Sequence, residues 1–126
     1  MTMTIRVLAI DDSRTIRGLV KRVMEDAGFA CILAEDGEQG VACFAEEDPD
    51  VVITDINMPR LDGYGVIQAI RSGQGNRTVP ILVLTTESAD HLKAKAREAG
   101  ATGWIVKPFD DATLVSVVRR VTGAKA

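Results

Sequence analysis

Three carboxylates stand directly behind apolar runs. Asp11 and Asp12 follow Ile5 to Ile10, and Asp55 follows Val51-Val52-Ile53-Thr54 before the chain breaks into Asn57-Met58-Pro59 and a turn at Gly63. Apolar runs of this kind are made for burial, and a buried carboxylate is costly unless something pairs with it. The pattern recurs downstream, where Thr85-Thr86 follows Ile81 to Leu84 and Lys107-Pro108 follows Gly103 to Val106. Acids, a hydroxyl and one ammonium at the ends of such runs are the groups that hold a hard divalent cation and the phosphate oxygens it binds. Singly, each has a plainer reading: Asp12 or Ser13 as the cap of a following helix, Ser88 as a cap beyond Thr85-Thr86, Lys107 as a solvated cation.

These groups meet only if the runs are neighbouring strands. Five short apolar runs (Ile5 to Ile10, Phe29 to Leu33, Val51 to Thr54, Ile81 to Leu84, Gly103 to Val106) alternate with segments of helical spacing. The clearest stripe is Ile16, Leu19, Val20, Val23, Met24 and Ala27, and Leu114, Val117, Val118 and Val121 repeat it. The runs lack in/out alternation, as do strands of a parallel sheet covered on both faces. Gly28 and Gly100 sit where the first and fourth helices should stop, and Ser72 to Thr78 reads as a loop. The spacing predicts one α/β domain over residues 1–126: a five-stranded parallel sheet of order 2-1-3-4-5 with helices on both faces. Ligands then bind at the carboxyl ends of the strands.

In that order the first and third strands are neighbours, so Asp11, Asp12 and Asp55 converge within about 5 Å, one inter-strand spacing. Each like-charged pair at about 4 Å costs several kcal/mol at an effective dielectric of about 20, more than a surface cap returns. A hard cation removes the conflict. Mg²⁺ takes one or two carboxylates, keeps several waters and leaves a position for a phosphate oxygen. Lys107, two strands from Asp55, must bridge about 10 Å, which its long stem reaches once the strand ends converge.

Composition narrows the partners. With 126 residues and 46% apolar content the chain suits one core. Fifteen basic and 18 acidic residues leave a net charge of −3 with no basic block, so nucleic acid is not expected as a ligand. Met1-Thr2-Met3-Thr4 leads straight into a strand without the features of a signal peptide, and no apolar run approaches the ~18 residues of a membrane span. A cytoplasmic location without membrane contact is expected. Cys31 and Cys43 are expected as reduced core thiols, and His91 as a surface residue.

Asp11-Asp12, the stretch Asp55-Ile56-Asn57-Met58-Pro59-Arg60-Leu61-Asp62-Gly63, Thr85 and Lys107-Pro108-Phe109 together resemble the receiver domain of two-component response regulators, in order and spacing, over essentially the whole chain. Among receivers the chain looks most like the stand-alone chemotaxis type, with its flavodoxin-like fold. The resemblance implies that Asp55 accepts a phosphoryl group from the phosphohistidine of a CheA-like histidine kinase in a phosphorelay, assisted by Lys107 and Thr85. It implies Mg²⁺ held by Asp12, Asp55 and the backbone carbonyl of Asn57, with Asp11 acting through water. Asn57 and Glu87, two residues beyond Asp55 and Thr85, are implied to orient the water of self-dephosphorylation. Thr85 and Trp104 are the implied switch, the hydroxyl moving to the phosphoryl group and the ring turning into the vacated space; Trp stands where Tyr is more usual. Thr86, branched where a smaller residue is common, is expected to hinder access. The Lys107-Pro108 peptide is cis in the family, and the chemistry is confined to the chain itself, so no enzyme with a separate turnover is expected.

The chain ends at Ala126 without a visible effector segment, so output is expected as a change of affinity for another protein, by a monomer. The expected surface is helix 4, strand 5 and helix 5, where Lys93 and Arg97, with Arg119 or Arg120, would attract an acidic partner such as the flagellar motor switch. A phosphate sink and a relay intermediate serving a histidine phosphotransfer protein are the alternatives. Two other classes fit less well. A haloacid-dehalogenase-type phosphatase wants a second acid where Asn57 stands, and a flavin binder wants a glycine-rich first turn where the chain has Asp11-Asp12-Ser13-Arg14.

Overall fold

In the computed structural model, which describes residues 4–123, side chains alternate across each strand and so sort the apolar runs into two cores. The strands are β1 (Arg6–Ile10), β2 (Ala30–Ala34), β3 (Val51–Thr54), β4 (Ile81–Thr85) and β5 (Gly103–Val106). The helices are α1 (Arg14–Asp26), α2 (Gly37–Glu47), α3 (Gly63–Ser72), α4 (Asp90–Ala99) and α5 (Asp111–Thr122). All pairings are parallel and the order is β2-β1-β3-β4-β5, the flavodoxin-like arrangement expected from the sequence.

Leu8, Ile10, Val52, Ile81 and Val83 face α2, α3 and α4, where Phe44, Val66, Ile67, Ile70 and Ala96 meet them. Val7, Ala9, Val51, Ile53, Leu82 and Leu84 face α1 and α5, packed by Val20, Val23, Met24, Leu114 and Val118. The strands therefore read as unbroken apolar runs because each face is covered. Cys31 packs on the α1/α5 side and Cys43 on the other, so the sheet itself separates the two thiols. Both are half-buried rather than core residues, since β2 is an edge strand and Cys43 lies beside the face of α2 that buries Gly40 and Phe44. Burial, with Glu25 nearby, pushes the Cys31 thiol up to about 12.

Caps set the helix starts. Ser13, Asp36, Asp62 and Asp110 each accept a backbone N–H at the first turns of α1, α2, α3 and α5. The fourth helix departs from expectation: Ala89 occupies the cap position with no side-chain hydrogen bond, and Ser88 is not the cap. The helix begins at Asp90, one residue too late for the Ser88 hydroxyl to serve it. Gly28 (φ 91°) and Gly100 (φ 115°) take the left-handed conformation that closes α1 and α4. At the far end of the sheet, Arg71 donates to the Gly100 carbonyl from Nε and Nη2 (3.0 and 2.8 Å) and to the Arg77 and Val79 carbonyls from Nη1 (both 2.7 Å). Among the described residues no helix is long and apolar enough to cross a membrane.

Candidate functional site

Register brings the acids together. Ile10 of β1 lies opposite Thr54 of β3, and the Asp55 N–H extends the ladder by donating to the Ile10 carbonyl at 3.0 Å. On the other side of β1 the Asp11 N–H donates to the Ala34 carbonyl at 3.1 Å. Asp11 and Asp55 are thus the first residues beyond two adjacent strands. Oxygens of Asp11, Asp12 and Asp55 lie within 4.8 Å of one another. Asp11 and Asp55 are buried; Asp12 is exposed.

Lys107 enters from β5. Its N–H donates to the Thr85 carbonyl at 2.8 Å, which fixes the start of the side chain. Its Nζ lies 2.8 Å from Asp11 Oδ2 and 3.1 Å from Asp55 Oδ2. Asp11 therefore meets the ammonium directly, a contact beyond the water-mediated metal role expected of it. The remaining oxygens are occupied as well: Asp11 Oδ1 accepts the Ser13 N–H at 2.9 Å and Asp55 Oδ1 the Ile56 N–H at 2.6 Å. Burial raises the Asp11 carboxyl above its ordinary value even against the Lys107 and Ser13 hydrogen bonds. Burial opposes the Lys107 charge too, but Asp11 and then Asp55 outweigh it, so the ammonium is held above its ordinary range.

One ammonium answers three carboxylates, and Asp12 has no cationic partner among the described residues. The donor set is hard oxygen, open to solvent on the Asp12 side, which fits Mg²⁺ rather than a soft metal. Gly63 completes the shape. A Cβ there would lie 2.3 Å from the Asp55 carbonyl oxygen, so only glycine lets α3 begin against the loop carrying Asp55. The Lys107-Pro108 peptide is cis.

A second group gathers on the β4–α4 loop, around Glu87. The Asn57 amide Nδ2 lies 3.4 Å from Glu87 Oε1; the Glu87 N–H donates to Thr85 Oγ1 at 3.4 Å; and the Trp104 indole N–H donates to the Glu87 carbonyl at 2.9 Å. The four residues that the sequence marks for dephosphorylation and switching are thus joined through one loop residue. Thr85 is buried, Trp104 half-buried, and Thr86 and His91 exposed.

On the proposed output face the cations divide. Arg97 and Arg120 are exposed, but Lys93 is half-buried beside Trp104 in a recess of about 210 Å³ with Ala96 and Thr102. Arg119 turns toward α1, donating to the Ala27 carbonyl at 3.4 Å and lying over the Phe29 ring, whereas Arg120 is exposed. Two contacts have no sequence signal of their own. Arg17 Nη1 donates to the Asp11 carbonyl at 2.8 Å, and Arg60 pairs with Asp36 at 3.0 Å.

A parallel 2-1-3-4-5 sheet with a three-acid cluster and a lysine at its carboxyl edge defines a receiver. Residues 7–119 match the family described as the response regulator receiver domain, and the chain belongs to it. Within the family the chain is CheY-like. It is 35% identical to a probable chemotaxis protein CheY of Rhizobium etli over 95% of this chain and 94% of that protein. The solved structure of chemotaxis response regulator CheY4 of Vibrio cholerae superposes with a TM-score of 0.89 at 39% identity, covering 94% of this chain and 99% of that one. The receiver domain of sensor histidine kinase PA1611 from Pseudomonas aeruginosa, solved with magnesium coordinated in its active site cleft, is 26% identical with a TM-score of 0.88, covering 96% of this chain and 99% of that one. The chain also spans about half the length of probable transcriptional regulators ycf27, 51% of that of Porphyridium aerugineum at 38% identity over 96% of this chain.

Proposed function

We propose that the chain is a phosphoacceptor of a two-component phosphorelay, which takes a phosphoryl group from a histidine kinase onto Asp55 and signals by phosphorylation-dependent binding to another protein in chemotaxis. The observation that carries the proposal is Asp55 itself: a buried carboxylate at a strand end, paired with Lys107 inside a three-acid cluster. The magnesium of the PA1611 receiver and the likeness to CheY proteins support it.

Asp55 Oδ2 attacks phosphorus in line as the P–N bond of the phosphohistidine breaks, giving an aspartyl phosphate and a free imidazole. Asp12, Asp55 and the Asn57 carbonyl would hold Mg²⁺, which would supply opposing charge to the phosphoryl oxygens. Lys107 leaves its place between the acids to bind one phosphoryl oxygen, and the Thr85 hydroxyl binds another. That move takes Thr85 Oγ1 from the Glu87 N–H and so acts on the loop that holds Trp104. Asn57 and Glu87 orient a water whose attack on phosphorus breaks the bond to Asp55 and ends the signal. No separate substrate is turned over. A cytoplasmic protein binding its target through α4, β5 and α5, with the flagellar motor switch as candidate, is the output we infer.

The test uses labelled phosphate. Acetyl phosphate or a phosphorylated histidine kinase labels the chain with Mg²⁺ but not with EDTA, and Asp55→Asn abolishes labelling because an amide oxygen is a far poorer nucleophile. Undiminished labelling of that variant moves the site elsewhere.

A further inference from the structure

The loop between β3 and α3 carries Asp55 at one end and the α3 cap Asp62 at the other, and between them the backbone takes an unfavourable form. Arg60 has φ 70°, and the Leu61 N–H donates to the Pro59 carbonyl at 2.8 Å across it. A three-residue turn with positive φ at its central, non-glycine residue is the strained form of the γ-turn. Left-handed backbone costs a non-glycine residue about 1–2 kcal/mol, and strain of this kind persists only where surroundings over-determine it.

Those surroundings are the start of α2. The Arg60 guanidinium meets Asp36 Oδ2 at 3.0 Å, and the other Asp36 oxygen accepts the Gln39 N–H at 2.8 Å as the helix cap. Gln39 in turn accepts the Glu35 N–H at 2.6 Å, so the carboxylate is set in a fixed frame. Its exposure is only 6%, although the arginine is largely in solvent. Next to it the Leu61 carbonyl lies so close to Gly37 that a Cβ there would stand 2.0 Å away. The turn is therefore pressed on α2 through backbone and tied to it through charge. Asn57 lies on the same loop, only three residues before Arg60.

We propose that the Asp36–Arg60 pair is a positioning latch, by which the first turn of α2 sets the loop that presents the Asn57 carbonyl to Mg²⁺ and the Asn57 amide to Glu87. It rests on the Mg²⁺ site proposed above and names two residues that touch neither metal nor phosphate. Through-space charge and the latch act in opposite directions on one of them. Removing the arginine charge near an acidic site strengthens cation binding by electrostatics alone, whereas loosening the loop weakens it.

Calorimetric titration with MgCl₂ at low ionic strength reads the difference on the unphosphorylated wild-type chain and on Arg60→Gln, Asp36→Asn, the double variant and Arg60→Lys. Asparagine keeps the helix cap, so Asp36→Asn removes the ion pair and not α2. The latch predicts that Arg60→Gln and Asp36→Asn both raise the Mg²⁺ Kd about tenfold, the lower end of what loss of an outer partner costs a metal site. The double variant should be no worse than either single variant, and Arg60→Lys should recover most of the affinity. Thermal midpoints should change little, since an ion pair with one partner in solvent contributes little stability. Tighter Mg²⁺ binding by Arg60→Gln, an unchanged Kd, or fully additive losses in the double variant each overturn the latch and leave the metal site standing. A wild-type chain that takes up no Mg²⁺ overturns both.

Discussion

Lys107 holds two buried carboxylates on one nitrogen, and that sets what its loss does. With Lys107→Met, Asp11 and Asp55 face each other without a counter-charge, and breaking a buried pair by removing one partner costs about 3 kcal/mol or more. Urea unfolding in EDTA should show that loss, and adding Mg²⁺ should return part of it to the variant. Phosphorylation from acetyl phosphate should fall even where the variant is folded. At this scale the sequence was a good guide to the Lys107–Asp55 contact, because strand order alone brings an ammonium just after β5 toward a carboxylate just after β3. It gave no sign of the direct Lys107–Asp11 contact. Asp11 and Asp12 are the same residue type side by side, and only the turn into α1 decides that Asp11 is buried and Asp12 exposed. The Asp36–Arg60 pair was equally invisible, since an acid and a base 24 residues apart on two loops carry no periodic signal.

Among the elements, α4 is the least firmly built at its start. Ala89 has extended backbone suited to a cap but no oxygen to offer, and Ala96 is the helix's one buried residue. Ala89→Ser should raise stability by about 1 kcal/mol, the usual worth of such a cap, measured as a shift of the urea midpoint at constant slope. The Glu87 loop that precedes α4 couples it to the site. Beryllofluoride with Mg²⁺ should change Trp104 emission or iodide quenching, because drawing the Thr85 hydroxyl toward Asp55 releases the Glu87 N–H beside the carbonyl that holds the indole. Thr85→Ala should suppress the change while Asp55 remains modified; identical spectra with and without the mimic would remove Trp104 from the switch. The sequence placed Asn57, Glu87, Thr85 and Trp104 by resemblance one at a time. Their junction depends on a backbone carbonyl as acceptor, which no residue type announces, and the missed α4 cap has a similar origin: Ser88 is the nearest hydroxyl, but the helix starts at Asp90.

For the whole molecule, the parallel sheet was legible because burial on both faces leaves strands apolar throughout, and glycines at φ 91° and 115° mark two helix ends. The packing of α1 and α5 against one face and α2, α3 and α4 against the other separates the thiols, and the half-buried Cys31 gives the fold an alkaline limit. Its thiol stays protonated in the native chain up to about 12 but ionises near 9.0 when the chain is open, so the unfolded state binds fewer protons in that window. Stability should therefore fall as pH rises above 9.0, and the pH-dependent part of the difference between wild type and Cys31→Ala should appear only there. Arg71 has a different reach. Its guanidinium bonds the Gly100 carbonyl twice and anchors the carboxyl end of α4 to α3, while at the amino end Ala89 supplies no side-chain bond and the Tyr64 hydroxyl gives a single one, 3.2 Å from the Leu92 carbonyl. A rod fixed at one end and lightly tethered at the other is a lever with its fulcrum at Gly100. Ten residues make an arm of about 15 Å, so a push of about 1 Å from the Glu87 loop swings it by about 4°, with Lys93 travelling farther than Arg97.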